Sequence, residues 1–355
     1  MLTSTQLDQI LNAATRAPSG HNYQPWLFRN LGETLQIFLK PRSDTTIYNY
    51  DERGSLVALG AATESINIYS PTIGLRTDHR YLFNREHGDN LVAELNFSKS
   101  TQPAAPYANA LLSRTTNRKK YSSKNIPDDV LKTILETLDE IDTVQTYPIS
   151  DPVKRAAIAK ILTVTDSLML EHPAVRDAIF PHIVWTKQEE EQRRTGLYIK
   201  TLELPLPAEK IFGLFARYQA LADFAGRIGF GKVIATQNAT LYSTGGTFVL
   251  LTIPDLSDRS FFELGRSLQR IWTSATHHSL AAQPIAAMLF LAERARVEKP
   301  AIFSETVQQH LFQAQRQVAE LFSVPSSEIP AMVIRMGYAD PPSATSSRKK
   351  PHLLS

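Results

Sequence analysis

Apolar side chains recur along this chain at two different spacings, which predict helices in some stretches and strands in others. Leu7, Leu11 and Ala14 follow the period of a helix, so an amphipathic helix is predicted over residues 3–17. The apolar residues then fall into two short runs on either side of Gly32, which is typical of a β-hairpin. The beginning of the chain is therefore predicted to be a helix followed by a hairpin.

The same two spacings continue through the rest of the chain. Helical spacing predicts long helices over residues 54–73, 258–280 and 304–322. Near-continuous apolar runs at residues 246–253 and 331–336 predict buried strands, because a strand covered on both faces shows no polar alternation.

Two stretches interrupt this pattern. Residues 98–107 contain Pro103 and Pro106 among small residues, which predicts a linker. Residues 186–196 are highly charged, and two prolines follow before position 208. We interpret the middle of the chain as a helical excursion that could form a lid.

One comparison within the chain suggests an internal repeat. Aligning residues 57–61 with residues 262–266 places Gly60 on Gly265, and both glycines lie inside predicted helices. Glycine in a helix costs about 1 kcal/mol and usually marks close packing against another element. A duplication is one interpretation; a chance match of two amphipathic helices is the other.

Composition excludes several classes of protein. The 38 Lys and Arg residues exceed the 35 Asp and Glu residues by only three, so no nucleic-acid partner is expected. The cysteine count of 0 excludes disulfides, thiol nucleophiles and iron–sulfur clusters. No apolar stretch approaches the ~20 residues that a bilayer crossing requires, so no membrane partner is expected and cytoplasmic localisation is predicted.

Common catalytic motifs are absent from the sequence. It contains no phosphate-binding loop G-x-x-x-x-G-K-S/T, no G-x-G-x-x-G, no G-x-S-x-G and no H-E-x-x-H. His277 and His278 are adjacent on a predicted helix and point about 100° apart, so they are a poor metal pair. No metal site is expected.

The most informative segment is the loop from Ala17 to Trp26, Ala-Pro-Ser-Gly-His-Asn-Tyr-Gln-Pro-Trp. A helix end leads into a polar loop that two prolines stiffen, and an aromatic residue then enters a strand. Such a loop presents hydrogen-bonding groups in fixed directions, which suits a planar polar heterocycle. From the loop alone, a connection capped by its own Ser19 and Asn22 side chains is the favoured interpretation.

This loop closely resembles the P-S-x-x-N-x-Q-P-W signature of the FMN-dependent nitroreductase superfamily. The resemblance implies an α+β nitroreductase-like fold, in which FMN lies at a subunit interface and one subunit supplies this loop. The residues it assigns to FMN binding are Pro18, Ser19, Gly20, Asn22 and Gln24.

Two basic segments resemble the family's phosphate-binding parts. The stretch from Arg114 to Arg118 is similar to the family's R-x-S-x-R motif, with Thr116 in place of serine. The bidentate geometry of guanidinium groups suits phosphate. Near the C-terminus, Arg348 and then Lys349 are the candidates for the family's closing basic residue. A solvated basic run and a disordered basic tail are the respective alternatives.

A fourth segment, Gln283-Pro284-Ile285-Ala286, follows a predicted long helix. In this family, backbone at that position runs over the face of the flavin. The resemblance therefore assigns Pro284 and Ile285 to cofactor binding, although the family's usual acidic and glycine residues are absent.

The distribution of these segments suggests two tandem halves. Residues 1–110 contain the loop but no arginine motif, whereas residues 111–355 contain the arginines but no second loop. The chain thus resembles a fused nitroreductase dimer of the single-chain, Acg-like branch. This pseudo-dimer would retain one FMN per chain, with a helical insertion or lid around residues 180–230.

The resemblance implies an FMN-binding oxidoreductase that uses NAD(P)H for two-electron reduction of nitroaromatic compounds, quinones or related acceptors. No catalytic side chain is expected, because the flavin carries the chemistry. The alternative is a non-catalytic protein that sequesters FMN under a lid. A third hypothesis is a structural protein with a decayed site, since Thr116 and Gln283 depart from the family pattern. The expected partner is a small-molecule electron acceptor, and the expected assembly is a monomer or a weak homo-oligomer.

Overall fold

The first part of the chain forms one antiparallel sheet and a long helix. The computed structural model describes residues 1–83, 90–298 and 301–354. Before residue 100 its elements are α1 (Ser4–Thr15), β1 (Trp26–Asn30), β2 (Thr34–Leu39), α2 (Arg53–Tyr69), β3 (Leu75–Tyr81) and β4 (Leu91–Lys99), with 3₁₀ turns at Gly20–Asn22, Ile47–Glu52 and Ser70–Ile73.

The second part has a matching sheet and many more helices. Its elements are a 3₁₀ turn (Ala108–Leu112), α3 (Asp128–Glu136), β5 (Gln145–Ile149), α4 (Pro152–Leu162), α5 (Val164–Glu171), α6 (Pro173–Asp177), a 3₁₀ turn (Phe180–His182), β6 (Ile183–Val184), α7 (Lys187–Arg193), β7 (Leu197–Tyr198), a 3₁₀ turn (Ile199–Leu202), α8 (Leu206–Arg217), α9 (Gln219–Arg227), α10 (Phe230–Tyr242), β8 (Thr247–Ile253), α11 (Asp258–His277), β9 (Ala281–Ile285), α12 (Ala287–Val297), α13 (Glu305–Phe322) and β10 (Ile329–Gly337).

Local sequence explains where the first helix begins and ends. The Thr3 hydroxyl accepts the backbone N–H of Gln6, and the Gln6 side chain accepts the backbone N–H of Thr3. This capping box satisfies two amides at the start of the helix. The helix ends at Thr15, slightly earlier than the predicted residue 17, because Pro18 disfavours helical backbone at the residue before it.

The other predicted elements are confirmed with small shifts at their ends. The helix predicted over 54–73 is α2 followed by a 3₁₀ turn, and those predicted over 258–280 and 304–322 are α11 and α13. The two apolar runs are β8 and β10. Every residue of β8 is buried, as expected for a strand covered on both faces.

The two four-stranded sheets have the same topology. Their strand orders are β1-β2-β4-β3 and β5-β8-β10-β9, and all pairings are antiparallel. In each sheet, the second strand along the chain, β2 or β8, leads through a long helix, α2 or α11, to the third strand along the chain, β3 or β9. The sheets are therefore repeated units, and the chain is a pseudo-dimer of two tandem halves.

The two long helices cross at the paired glycines. A Cβ atom on Gly60 would lie 1.9 Å from the carbonyl oxygen of Phe262, and one on Gly265 would lie 1.9 Å from that of Val57. Gly60 aligns with Gly265, and Val57 aligns with Phe262, at the same offset. The two contacts are thus reciprocal, as at the two-fold interface of a homodimer. This geometry supports the duplication over a chance match.

Two segments of the second half form single β-bridges to the edge strands of the two sheets. Near the C-terminus, the Leu354 N–H donates to the Phe28 carbonyl and the Phe28 N–H donates to that of His352, which places the tail beside β1. The segment around Thr116 forms a parallel bridge to Ala282 at the edge of β9. Each end of the second half is therefore fixed to a sheet edge.

Across the described ranges 1–83, 90–298 and 301–354, none of the helices combines the length and the apolarity that a bilayer crossing needs.

Candidate functional site

The loop after α1 has strained backbone geometry. His21, Asn22 and Gln24 have φ values of 45°, 57° and 58°, a region that side chains other than glycine seldom adopt. The Ser19 hydroxyl accepts the backbone N–H of Gln24 at 3.1 Å, and a Cβ atom on Gly20 would lie 2.9 Å from Asp44 Oδ2. Such strain is costly and often marks a functional site.

The C-terminal tail fixes the side chains of this loop. Arg348 Nη1 donates to Asn22 Oδ1 at 2.9 Å, and the Lys349 backbone N–H donates to Gln24 Oε1 at 2.8 Å. The Asn22 amide in turn donates to the Ser347 carbonyl at 2.9 Å. Four predicted residues from opposite ends of the sequence, Asn22, Gln24, Arg348 and Lys349, are therefore in direct contact.

Three arginines converge at the end of α1. Arg114 Nη2 donates to the Arg16 carbonyl at 2.5 Å, and Arg348 Nε donates to the Thr15 carbonyl at 3.0 Å. Burial, followed by the charges of Arg348 and Arg16, lowers the pKa of Arg114 to about 9. Burial and the charge of Arg16 lower the pKa of Arg348 to about 10. We call Arg16, Arg114 and Arg348 the arginine cluster.

The arginine cluster has an excess of positive charge. Among the described residues, none of its members forms an ion pair with a carboxylate. The Nε atoms of Arg16 and Arg114 are buried without a hydrogen-bond partner, and Arg114 stacks 4.1 Å above the Trp272 ring. Buried charges are normally paired, so this arrangement fits a bound anion such as a phosphate group.

The remaining residues of the arginine motif contact β9 and the 3₁₀ turn at Ile199–Leu202. The Asn117 N–H donates to the Ala282 carbonyl at 3.0 Å, so Thr116 lies beside the strand that contains Pro284 and Ile285. Arg118 Nη1 donates to the Thr201 carbonyl at 3.0 Å. Burial is the main cause of the lowered pKa of Arg118.

Two further titratable groups are linked to Arg118, Tyr242 directly and Asp166 through Tyr242. Tyr242, whose hydroxyl is 3.5 Å from Gln283 Nε2, has its pKa raised to about 12 by burial and by the charge of Asp166. Burial also raises the pKa of Asp166 to about 6, although Asn238 donates a hydrogen bond to it. Sequence reasoning missed Tyr242 and Asp166, because α5 and α10 carry no recognisable motif.

Part of the region that we interpret as a lid, residues 180–230, contacts the loop. The Asn22 and Gln24 side-chain amides both donate to the Arg194 carbonyl, at 3.2 and 2.7 Å. The Gly196 N–H donates to the His21 carbonyl at 2.8 Å, and Glu190 accepts both the backbone N–H and the hydroxyl of Ser347. We call residues 180–203 the cover segment, because they hold the loop and the tail together.

A histidine pair connects the cover segment to the loop. The Tyr23 hydroxyl lies 2.7 Å from His182 Nδ1, and the His21 and His182 rings have centroids 5.3 Å apart. Burial, then the nearby His182 and Arg118, lower the pKa of His21 to about 4. His21 is therefore neutral at pH 7, next to a strongly cationic region.

The predicted site residues thus come from four segments that meet in one region. The loop, the 114–118 segment, β9 and the tail are joined by hydrogen bonds or a β-bridge. Sequence reasoning missed Arg16, although it lies three residues before Ser19 and is the first basic residue of the chain. It also missed Glu190, whose charge in the 186–196 run gave no hint of a buried contact with Ser347.

Comparison with known proteins gives one match to a family model and several relatives. The model of the Nitroreductase family matches residues 111–338. An uncharacterized protein of Mycobacterium tuberculosis (strain CDC 1551 / Oshkosh) is 26% identical over 355 residues, covering 97% of this chain and 47% of that protein. The provisionally named NAD(P)H nitroreductase acg of the same organism is 28% identical over 186 residues, covering 51% of this chain and 54% of that protein.

This chain spans about half the length of the curated relatives it matches. Among solved structures, an FMN-dependent nitroreductase from Clostridium difficile R20291 has a TM-score of 0.39 at 15% identity, covering 70% of this chain and 97% of that one.

Proposed function

Because the chain belongs to the Nitroreductase family, we propose that it binds one FMN where its two halves meet and acts as an NAD(P)H-dependent oxidoreductase. The acceptors we propose are nitroaromatic compounds, quinones or related conjugated molecules. The observation that carries the proposal is the arginine cluster, in which three guanidinium groups lie together and none forms an ion pair with a carboxylate of the described residues.

The arginine cluster would hold the FMN phosphate. Arg114 and Arg348 are fixed by carbonyl groups at the end of α1, so their remaining N–H groups are preorganised for an anion. The unpartnered Nε atom of Arg16 supports its inclusion in the same role. A phosphate would relieve the mutual repulsion of these cations, which makes binding favourable.

The loop and β9 would orient the ring system. The strained backbone of His21, Asn22 and Gln24 holds polar groups in fixed directions, and Pro284 and Ile285 lie on a strand bridged to the Thr116 segment. When bound, FMN supplies the transfer of two electrons from NAD(P)H to the acceptor. Arg118 would provide a cation that favours the negative charge gained on reduction.

A second function is supported by the cover segment. Its Arg194 carbonyl accepts hydrogen bonds from both Asn22 and Gln24, and its Thr201 carbonyl accepts one from Arg118. A site held closed by these contacts would bind FMN and exclude an acceptor. The alternative is therefore a protein that sequesters FMN without turnover.

Flavin content and reduction separate these functions. Purified protein is expected to be yellow, with one FMN per chain. Anaerobic mixing with NADPH or NADH is expected to reduce the flavin, and so remove the yellow colour, on the timescale of catalysis. A yellow protein that does not bleach would favour sequestration. A colourless protein that ignores added FMN, or one that binds two per chain, would contradict the proposal.

A double substitution tests the assignment of Arg114 and Arg118 to FMN binding. Arg114→Ala combined with Arg118→Ala is expected to weaken FMN binding by at least about 100-fold, since each charged hydrogen bond contributes about 1.5–3 kcal/mol. The matched control is Arg76→Ala combined with Arg259→Ala, because both of these arginines are exposed. Fluorescence titration of the flavin measures both, and equal affinities would refute the assignment.

A further inference from the structure

The α8–α9 hairpin presents an apolar stripe to solvent. Six large side chains recur at three- or four-residue spacing along its outer face, which we call the outer stripe. They are Ile211 (39% exposed), Leu214 (46%), Tyr218 (50%), Leu221 (39%), Phe224 (60%) and Ile228 (65%). A surface helix normally turns such a stripe toward the core, and contiguous exposed apolar patches mark interaction sites.

The hairpin is firmly attached on its other face. Phe215, Ala222 and Ala225 are buried in a hydrophobic core, and a Cβ atom on Gly226 would lie 2.5 Å from the Leu170 carbonyl oxygen. Its inner face is thus already packed, so the outer stripe is not an unfilled core contact. A partner outside the described residues is needed to cover it.

The exposed charged side chains of α8, of α9 and of the start of α10 are basic. Lys210, Arg217, Arg227 and Lys232 are exposed on α8, α9 and the start of α10. The two acidic residues of this region are both paired with cations of neighbouring elements, Glu209 with Lys200 and Asp223 with Arg176. The surface is therefore apolar along its centre and basic at its rim.

We propose that the α8–α9 hairpin docks on the surface of an anionic lipid bilayer. Apolar side chains flanked by Lys and Arg are the pattern of helices that lie in a membrane interface, where the cations meet lipid phosphates. A second copy of this chain fits less well, because a two-fold contact would bring like charges on the two rims together. The expectation of no membrane partner rested on spanning segments, which an interfacial hairpin does not need.

Vesicle flotation of the full chain tests this proposal. Vesicles containing equal parts of phosphatidylglycerol and phosphatidylcholine should retain at least about tenfold more protein than phosphatidylcholine alone, and high salt should release most of it. Phe224→Glu should lower the retained fraction about tenfold, since it puts a carboxylate into the apolar contact. Ile228→Glu provides a second variant at an equally exposed position.

Two controls separate docking from general effects. Leu31→Glu changes a side chain of similar exposure (56%) at the β1–β2 turn and should leave flotation unchanged. Arg217→Gln combined with Arg227→Gln should weaken binding to anionic vesicles and reduce its dependence on salt.

The following outcomes would overturn the proposal. They are failure to float with anionic vesicles, equal binding to both kinds of vesicle, and a dimer in sedimentation equilibrium that Phe224→Glu converts to a monomer. Binding to polyglutamate without binding to vesicles would also overturn it, in favour of an acidic protein partner.

Discussion

Two groups of arginines with opposite charge balance lie at the same long helix, α11: Arg266 and Arg270 belong to the helix, and the arginine cluster contacts it at Trp272. On one side, Arg266 Nε lies 2.8 Å from Glu64, Arg266 Nη1 lies 2.9 Å from Glu263, and Arg270 Nε lies 2.5 Å from Glu64. On the other side, Arg114 of the arginine cluster stacks on Trp272. Among the described residues, no ion pair neutralises that cluster.

The presence or absence of a carboxylate partner indicates different roles for the two groups of arginines. A buried guanidinium with a carboxylate partner is complete within the protein and fixes how elements pack. A buried guanidinium without one has a binding capacity left over, which an anion can use. The paired group therefore stabilises the junction of the two halves, and the arginine cluster is suited to a ligand.

The duplication makes this comparison sharper. Glu64–Arg270 and Gln269–Ser65 are equivalent contacts, since Glu64 aligns with Gln269 and Ser65 aligns with Arg270. One of these two contacts is ionic, and the other is a neutral hydrogen bond between an amide and a hydroxyl group. The two halves have thus diverged around a common helix crossing.

Removing the central carboxylate should have the largest effect. Glu64→Gln is expected to lower the free energy of unfolding by about 3–5 kcal/mol, because it leaves Arg266 and Arg270 buried with less countercharge. Chemical denaturation measures the change. The control is Glu140→Gln, which also removes a partner of Arg270 but from a side chain that is 79% exposed. Its cost should stay below about 1 kcal/mol, and equal losses would contradict the distinction.

Acid should lower the free energy of unfolding through His21, which lies near Arg118. Its folded pKa of about 4 lies below the ordinary value of 6.5, so the unfolded chain binds the proton first. The contribution to stability is complete above pH 6.5 and is lost as the pH falls toward 4, by up to about 3 kcal/mol. His21→Asn, which tolerates the positive φ, should reduce the loss measured by denaturation across this range.

His79 provides the matched control on the paired side. Burial and Arg266 lower its pKa, but Glu64 and Asp78 oppose the shift. His79→Asn should therefore change the acid dependence less than His21→Asn does. An equal or larger change for His79→Asn would contradict the expected difference between the two histidines.

Inorganic phosphate should stabilise the flavin-free protein through the arginine cluster. At ten times its dissociation constant, a ligand of the folded state adds about 1.4 kcal/mol, which thermal unfolding detects. Arg16→Gln combined with Arg114→Gln should abolish this gain, and chloride at matched ionic strength should not reproduce it. Equal stabilisation of the variant would show that phosphate does not bind at the arginine cluster.

The neutral counterpart should show the smallest effect. Ser65→Ala removes the acceptor of the Gln269 amide and should cost about 1 kcal/mol, the usual net contribution of one hydrogen bond. Its cost should be clearly smaller than that of Glu64→Gln in the same denaturation assay. A cost above that of Glu64→Gln would mean that the ionic pair is not the stronger of the two equivalent contacts.

Much of the architecture was predictable from the sequence. Helical and strand spacing located α1, α11, α13, β8 and β10, because local periodicity reports which face of an element is buried. The loop motif predicted membership of the nitroreductase superfamily, which is confirmed. The roles of the individual site residues remain predictions.

Other features could not be predicted, because they depend on long-range contacts. Arg16 lacks a motif, and its part in the arginine cluster follows only from the approach of Arg114 and Arg348. The run of charges at 186–196 predicted an excursion but not the contact between Glu190 and Ser347. Likewise, the helical excursion that we inferred for the middle of the chain gave no indication that the outer stripe of α8 and α9 faces solvent.

By itself, the sequence determined the periodic elements, the loop and the two glycines that align at one offset, because each depends on residues close together in the chain. The tertiary structure alone decided which charges are paired. Glu64 and Arg270 are more than 200 residues apart, as are Arg114 and Arg348, and only folding brings such groups together. Whether a buried arginine has a carboxylate partner therefore depends on long-range contacts, such as those that the crossing of α2 and α11 supplies to Arg266 and Arg270.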